Sequence, residues 1–405
     1  MSVTDNVFIG RQPIFNRDNE VEAYELLYRP GQQAKDSAGM VDGDQATALV
    51  LVNTLMEFGL DRVASNKLLF VNCTYDFLTG NFPELLPPDQ IVLEVLEDIQ
   101  PDAKVLSSIK RWKEMGFTIA LDDFVYAPHL QPLIDLADLI KVDITVLPEG
   151  MAAERKRLAA FKGRLLVEKV ETQAEHSEAM QLGFDLFQGY FYNRPETLGK
   201  KGMDAGKAQA MQVVRAAMEA TETSELEKVI SRNVAISYKL LKYINSPGFG
   251  MRSEIRSISH ALTLMGLRSV RSWTAIVAMS SAASSKPDEL IKQSMARGRF
   301  FELLAEAEGK ESLKSDYFVF GMFSLLEAML DMPIAEAIAD LSLPEVVREG
   351  LLDSRSNLGR RLQLVKAMEQ GQWKKIALLM NNQGNIKLTS MFTEAMFWAD
   401  ELNLA

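Results

Sequence analysis

The feature that most constrains this chain is a pattern repeated through its first half. Short apolar runs of strand length each close on a polar residue, with helix-type stretches between most of them. VFIGRQPIF and VEAYELLY come first and flank NRDNE, an Asn- and Asp-rich turn that predicts a hairpin. A helical stretch, DQATALVLVNTLMEFGL, is stopped at Gly59. LLFVN, IVLEVL, FTIALDDF, LIKVDI, RLLVEKV and FDLFQGY follow, with stretches such as AKVLSSIKRWKEMG and MAAERKRLAAF between them. Alternating strands and helices predict a mostly parallel sheet covered on both faces. About eight strands in about 200 residues fit a modified (β/α) TIM-like barrel at the short end of its size range. The opening hairpin makes one strand antiparallel.

Functional residues of such a barrel sit at the C-terminal ends of its strands. The polar residues fall there: Asn72, Glu94, the pair Asp122-Asp123, Lys141, Glu168 and Gln188. Polar residues recurring at one end of successive strands predict a ring around one mouth, whereas loop solvation alone would scatter them. Asp143, in LIKVD, reads as a supporting residue.

The pattern changes after Arg194-Pro195. ETLGKKGMDAG is rich in Gly and charge and reads as a boundary. Beyond it KAQAMQVVRAAMEA, ELEKVISRNVAISYKLLKYIN, SISHALTLMG and DELIKQSMARGRFFELLAEAEG carry apolar residues at helical spacing, and SPGFG separates two helices. The fold class is therefore α/β plus all-α: a barrel domain over 1–200 and an all-helical domain over 201–405.

Composition narrows the chemistry. The formal net charge of −11 disfavours nucleic acid as a partner. Cys73 is the single cysteine, so no disulfide forms within the chain and a reducing compartment is expected. MSVTDNVFIG lacks a signal-peptide pattern, and no apolar run approaches the ~18 residues that span a bilayer, so a cytoplasmic protein without a membrane partner is expected. The three histidines, His129, His176 and His260, are scattered. Metal chemistry would therefore use oxygen ligands and a hard cation such as Mg²⁺ or Mn²⁺. Two ions about 3.5–4 Å apart, held by acids such as Asp122 and Asp123, can clamp a phosphodiester. Glu25 in the hairpin adds a further acid.

At these residues the chain resembles the EAL domain, the cyclic di-GMP phosphodiesterase family, over roughly residues 5–200. ELLYR is similar to the family's EALLR signature, VNCT to its VN motif, LEVLED to its LELTES-like strand, and LDDF to DDFG. IKVD is similar to IKID, VEKVET to AEGVET, and FQGYFYNRP to its QGY strand. The resemblance implies Glu25, Asn72, Glu94, Asp122, Asp123 and Glu168 as ligands of two divalent cations. It implies Lys141, with Glu168, as holding the attacking water, Arg29 and Gln188 as contacting cyclic di-GMP, and Glu97 as anchoring the neighbouring loop. The product would be linear pGpG.

Two positions depart from that pattern. The family follows DDF with a glycine-containing flexible loop that couples metal binding to dimerisation. Here the chain reads DDFVYAPHLQPL, with Pro128 and Pro132. Lys169 replaces the Gly of EGVE; strand alternation would turn it from the mouth, and otherwise it competes with a metal. The second half resembles the HDOD domain, carried by KLLKYINSPGFGMRSEIRSISHALTLMGLRSVRSW. Related HD phosphohydrolases carry GLLHD where this chain reads GMFSL, so Ser324 and Leu325 replace the His-Asp pair, and Gln293 stands at a second His position. The resemblance implies a regulatory α domain that docks protein partners, and it leaves room for a homodimer. Cyclic di-GMP hydrolysis is the leading reading. The alternative is a degenerate EAL–HDOD receptor or scaffold that signals through protein contacts.

Overall fold

The computed structural model describes residues 8–29, 51–52, 55, 58–193, 205–247, 254–282, 286–380 and 388–402. Most of the helix ahead of Gly59, the Gly-rich boundary and most of SPGFG lie outside these residues. The chain forms two compact units, Met1–Phe191 and Tyr192–Ala405.

The first unit is a closed barrel of eight strands in chain order. They are β1 (Phe8–Phe15), β2 (Val21–Arg29), β3 (Leu68–Cys73), β4 (Ile91–Val95), β5 (Thr118–Leu121), β6 (Leu139–Asp143), β7 (Arg164–Glu168) and β8 (Leu186–Gln188). β1 runs antiparallel to both β2 and β8, and every other neighbouring pair is parallel. The expected hairpin is thus the one reversed element. Its turn is closed by Asn16, whose Oδ1 accepts from the N–H groups of Asp18 and Glu20.

One layer of the barrel interior takes one residue from each strand: Ile14, Ala23, Phe70, Val92, Ala120, Leu139, Leu166 and Leu186. All are almost fully buried, so this layer plugs the barrel and gives the mouth a floor. Helices cover the outside. The helix Ala103–Glu114 starts where Asp102 accepts from the Val105 N–H at 2.8 Å, and it buries Val105, Ile109 and Trp112. The helix Gln173–Leu182 starts at a Thr172–Glu175 capping box.

The described part of the second unit contains helices and no strand. The stretch ELEKVISRNVAISYKLLKYIN splits into Thr223–Ser231 and Val234–Ile244, because the Asn233 side chain accepts from the Ile236 N–H and starts a new helix. The segment Ile258–Ala282 is broken at Gly266. The helices Asp288–Ala307 and Lys314–Phe323 cross closely at Gly321, where a Cβ would lie 2.4 Å from the Arg297 carbonyl oxygen.

Beside that crossing lies a buried ion pair. Arg297 Nε and Nη2 each donate to one oxygen of Glu369 at 2.7 Å, and Nη1 donates to Ser324 Oγ at 3.0 Å. Ser324, where the resemblance would place a histidine, is therefore engaged by an internal cation, and Leu325 beside it is buried. Four arginines close together in the sequence, Arg252, Arg256, Arg268 and Arg271, suggest a basic cluster, but the structure does not join those it describes into one group. Arg268 and Arg271 line a common cavity, Arg256 pairs with Glu254, and Arg252 lies outside the described residues.

Candidate active site at the mouth of the barrel

Side chains along a strand alternate between faces, so residues two steps on from the core layer also point inward. Counting two residues from the plug toward the mouth reaches Glu25, Asn72, Glu94, Asp122, Lys141, Glu168 and Gln188. Asp122 lies just past β5, and its N–H donates to the Val95 carbonyl at 2.9 Å, which extends the strand by one residue. On β1, which runs the other way, the count goes backward from Ile14 to Gln12, the register partner of Glu25. Sequence reasoning missed Gln12, because it read strand ends in one direction only.

Lys141 is the centre of this ring and is 1% exposed. Its ammonium lies 2.5 Å from Glu94 Oε1, 2.6 Å from Glu168 Oε1, 2.7 Å from Asp122 Oδ1 and 3.3 Å from Glu25 Oε2. Burial pulls that ammonium down, but Glu168, Glu25, Glu94 and Asp122 together push it well above the ordinary lysine range, so it stays charged. Burial pushes the carboxyls of Glu94 and Glu168 well up, with Lys141 opposing. Glu25 is oriented by two amides, accepting from Gln188 Nε2 at 2.6 Å and from Asn72 Nδ2 at 3.2 Å.

A second group of oxygens adjoins the first. Asp122, Asp123 and Glu168 each place a carboxylate oxygen within 4.8 Å of the others. Lys169 also faces this group. It follows β7 with a φ of 58°, so strand alternation no longer governs it, and its ammonium pairs with Asp143 and with Asp123, the latter at 3.2 Å. Asp143 is itself fixed by accepting from the Thr145 N–H and hydroxyl. The sequence signal for this contact was the replacement of Gly by Lys, but its direction was not readable.

The loop after Asp123 is held by two hydrogen bonds. The Phe124 N–H donates to the Lys141 carbonyl and the Tyr126 N–H to Glu154 Oε1. Glu97 is not drawn into this network. It is exposed, and among the described residues no hydrogen bond or ion pair ties it to the loop. Arg29 ends β2, and its side chain lies outside the described residues. Cys73 is fully buried, and burial pushes its thiol far up, which removes it from nucleophilic chemistry.

The turn that carries Lys169 is pinned from β8. The Val170 N–H donates to the Gln188 carbonyl and the Phe191 N–H to the Val170 carbonyl. Gly189, at φ 148°, lets these backbones meet; a Cβ there would lie 2.1 Å from the Val170 oxygen. Gly189→Ala is expected to cost roughly 2–4 kcal/mol by forcing that turn outward. An unchanged urea midpoint for this variant would contradict the close approach.

Comparison with known proteins agrees with this architecture. A family model of the EAL domain matches residues 75–195, and one of the HDOD domain matches residues 207–338. A Bacillus subtilis protein described as "uncharacterized protein YuxH" is 33% identical over 98% of this chain and 98% of its own length. The chain belongs to the EAL–HDOD family. The cyclic di-GMP phosphodiesterase CdgJ of Vibrio cholerae is 31% identical to this EAL–HDOD chain, over 91% of it and 86% of that protein. The solved structure of a MucR phosphodiesterase in complex with c-di-GMP aligns with a TM-score of 0.38 at 22% identity, covering 47% of this chain and 92% of that one. The EAL match starts at residue 75, so Glu25 and Asn72 lie ahead of it. Barrel closure brings both into the ring of this EAL–HDOD protein. Among the described residues, no helix is long and apolar enough to cross a membrane.

Proposed function

We propose that the barrel domain, residues 1–200, hydrolyses cyclic di-GMP to linear pGpG, and that the helical domain, residues 201–405, regulates it and docks protein partners. The observation that carries the first part is the ring itself: acids from four strands converge on Lys141 and adjoin a second carboxylate group at Asp122, Asp123 and Glu168. The likeness to CdgJ supports the same substrate.

The donors suit a hard divalent cation, Mg²⁺ or Mn²⁺. All are oxygens, and Asn72 Oδ1 and Glu94 Oε2 are buried without a hydrogen-bond partner. Glu25, Asn72, Glu94 and Asp122 would hold one ion, and Asp122, Asp123 and Glu168 a second. When bound, such ions supply charge neutralisation for the phosphodiester and a more acidic water. Six carboxylates and the two lysines leave the mouth formally at about −4, so cations are also what admits an anionic dinucleotide.

The chain's own residues orient and move protons. Gln188 and Asn72 fix Glu25, and Lys141 positions the water. Glu168, whose carboxyl burial holds high, accepts the proton that water gives up as its oxygen bonds to phosphorus. The P–O3′ bond breaks, the 3′ oxygen takes up a proton, and one water is consumed per pGpG. Gln188 and Arg29 are assigned to the substrate.

Full-length protein with cyclic di-GMP and Mg²⁺ or Mn²⁺ should release pGpG, read by chromatography, and chelation should stop it. Glu25→Ala is expected to lower turnover by about 100- to 1,000-fold. A wild type no faster than Glu25→Ala removes the enzyme reading. The second reading, a receptor without turnover, is favoured by the contact of Lys169 with Asp123; calorimetry showing tight cyclic di-GMP binding with no product would establish it.

A further inference from the structure

We infer that Lys169 is a resident cation of the mouth: its ammonium takes the charge position beside Asp123 that a second divalent ion would otherwise fill. The barrel then binds one divalent ion tightly, and a second only when Lys169 is displaced. This inference rests on the metal-site reading above and adds to it the order and strength of loading.

The backbone is the first support. Six non-glycine residues among those described have positive φ: Asn19, Ser65, Asn66, Asp123, Lys169 and Asp331. Five are short polar residues, of which Asn and Asp are the types that most readily adopt this conformation; Lys169 is the exception. Its partner Asp123, at φ 41°, is one of the five, so the two ends of one ion pair both sit in left-handed backbone. A glycine would relieve the strain at residue 169. A lysine held there points to a use for its side chain.

The second support is how the side chain is held. Asp143 is 1% exposed and anchors the ammonium from inside, while Asp123, 32% exposed, meets it from the solvent side. The turn cannot rotate Lys169 away cheaply, because Val170 is bonded to the Gln188 carbonyl and packed on Gly189. The contact with Asp123 is the looser of the two, and a half-exposed pair of this kind is weak. A divalent ion can therefore compete for Asp123, but it meets a positive charge that is already fixed there. Among the described residues Lys169 makes no contact with the first group of oxygens, around Glu25, Asn72 and Glu94; the cation there is Lys141, which leaves Asn72 Oδ1 and Glu94 Oε2 without a hydrogen-bond partner.

Manganese binding to the full chain tests this without reference to turnover. Titration calorimetry and electron paramagnetic resonance of bound Mn²⁺ should show one tight site in the wild type. Lys169→Met should show two, with the second ion bound about ten-fold or more tightly than in the wild type. Lys169→Arg should stay at one, because the charge is kept. The two-ion species of Lys169→Met should also show spin coupling between neighbouring ions. Melting curves in chelator confirm that each variant is folded, and Lys169→Gly, which relieves the left-handed backbone, serves if the methionine variant is not. Two tight ions in the wild type, or an equal count in wild type and charge-removed variants, overturns the inference while leaving the metal site standing. No Mn²⁺ in any of them overturns the metal-site reading itself.

Discussion

Lys141→Met is expected to lower stability by about 3–5 kcal/mol in chelator and to reduce turnover by about 1,000-fold or more. The stability loss follows from what the ammonium leaves behind. Glu94 is 0% exposed and Glu168 nearly buried, and the same ammonium also serves Asp122 and Glu25. Without it, four neighbouring carboxylates keep their mutual repulsion and lose their shared counter-charge. Burial already pushes Glu94 and Glu168 upward, and Lys141 is what opposes that push. Both groups should therefore take up protons in the folded variant. A carboxyl raised on folding stabilises below its unfolded value and loses that contribution as pH rises through its folded value. The variant should accordingly gain stability between about pH 7 and pH 5, where the protons bind. Divalent cations at neutral pH should restore part of the loss. Urea unfolding at the two pH values, with chelator and with Mn²⁺, reads all three effects. A variant as stable as wild type at neutral pH in chelator would show that Lys141 is not the counter-charge of the ring.

Glu369→Gln is expected to cost about 3–5 kcal/mol in the helical unit. Arg297 is 3% exposed and spends both ends of its guanidinium on Glu369, with Ser324 taking the remaining direction. Neutralising Glu369 leaves the guanidinium of Arg297, 3% exposed, without its counter-charge. The double change Arg297→Met with Glu369→Leu should recover most of the loss, since an apolar pair of similar volume removes both desolvation costs. Three of the four tryptophans, Trp273, Trp373 and Trp398, belong to this unit, so fluorescence during urea unfolding follows it. If the double variant is as unstable as the single one, the arginine is needed for its bond to Ser324 and its shape, and the charge argument is wrong.

Much of the barrel was legible because its signals are local. Each strand announced itself by a short apolar run, and the polar residue two positions beyond an inward-facing core residue must face inward as well. The polar residues that close those runs, Asn72, Glu94, Asp122, Lys141, Glu168 and Gln188, are legible as one rim, and the NRDNE turn marks the reversed strand. In the helical half, apolar spacing located the helices, whereas the break at Asn233 came from a side-chain cap.

The sequence by itself therefore placed most of the residues that line the mouth, since they close short apolar runs and those runs are a local signal; Gln12 and Lys169 escaped it. Which groups meet there was decided by tertiary structure. Barrel closure brings Glu25 of β2 and Gln188 of β8, the two strands that flank β1, to 2.6 Å. The antiparallel register of β1 adds Gln12 to the rim. Lys169 turns inward because contacts of Val170 with β8 impose a backbone angle its own neighbours in sequence do not specify. Arg297 meets Glu369, 72 residues away at the end of the helix Asn357–Glu369, through the packing of the helical unit. These are long-range choices, made by closure and packing, and they set the charge balance on which the site's chemistry depends.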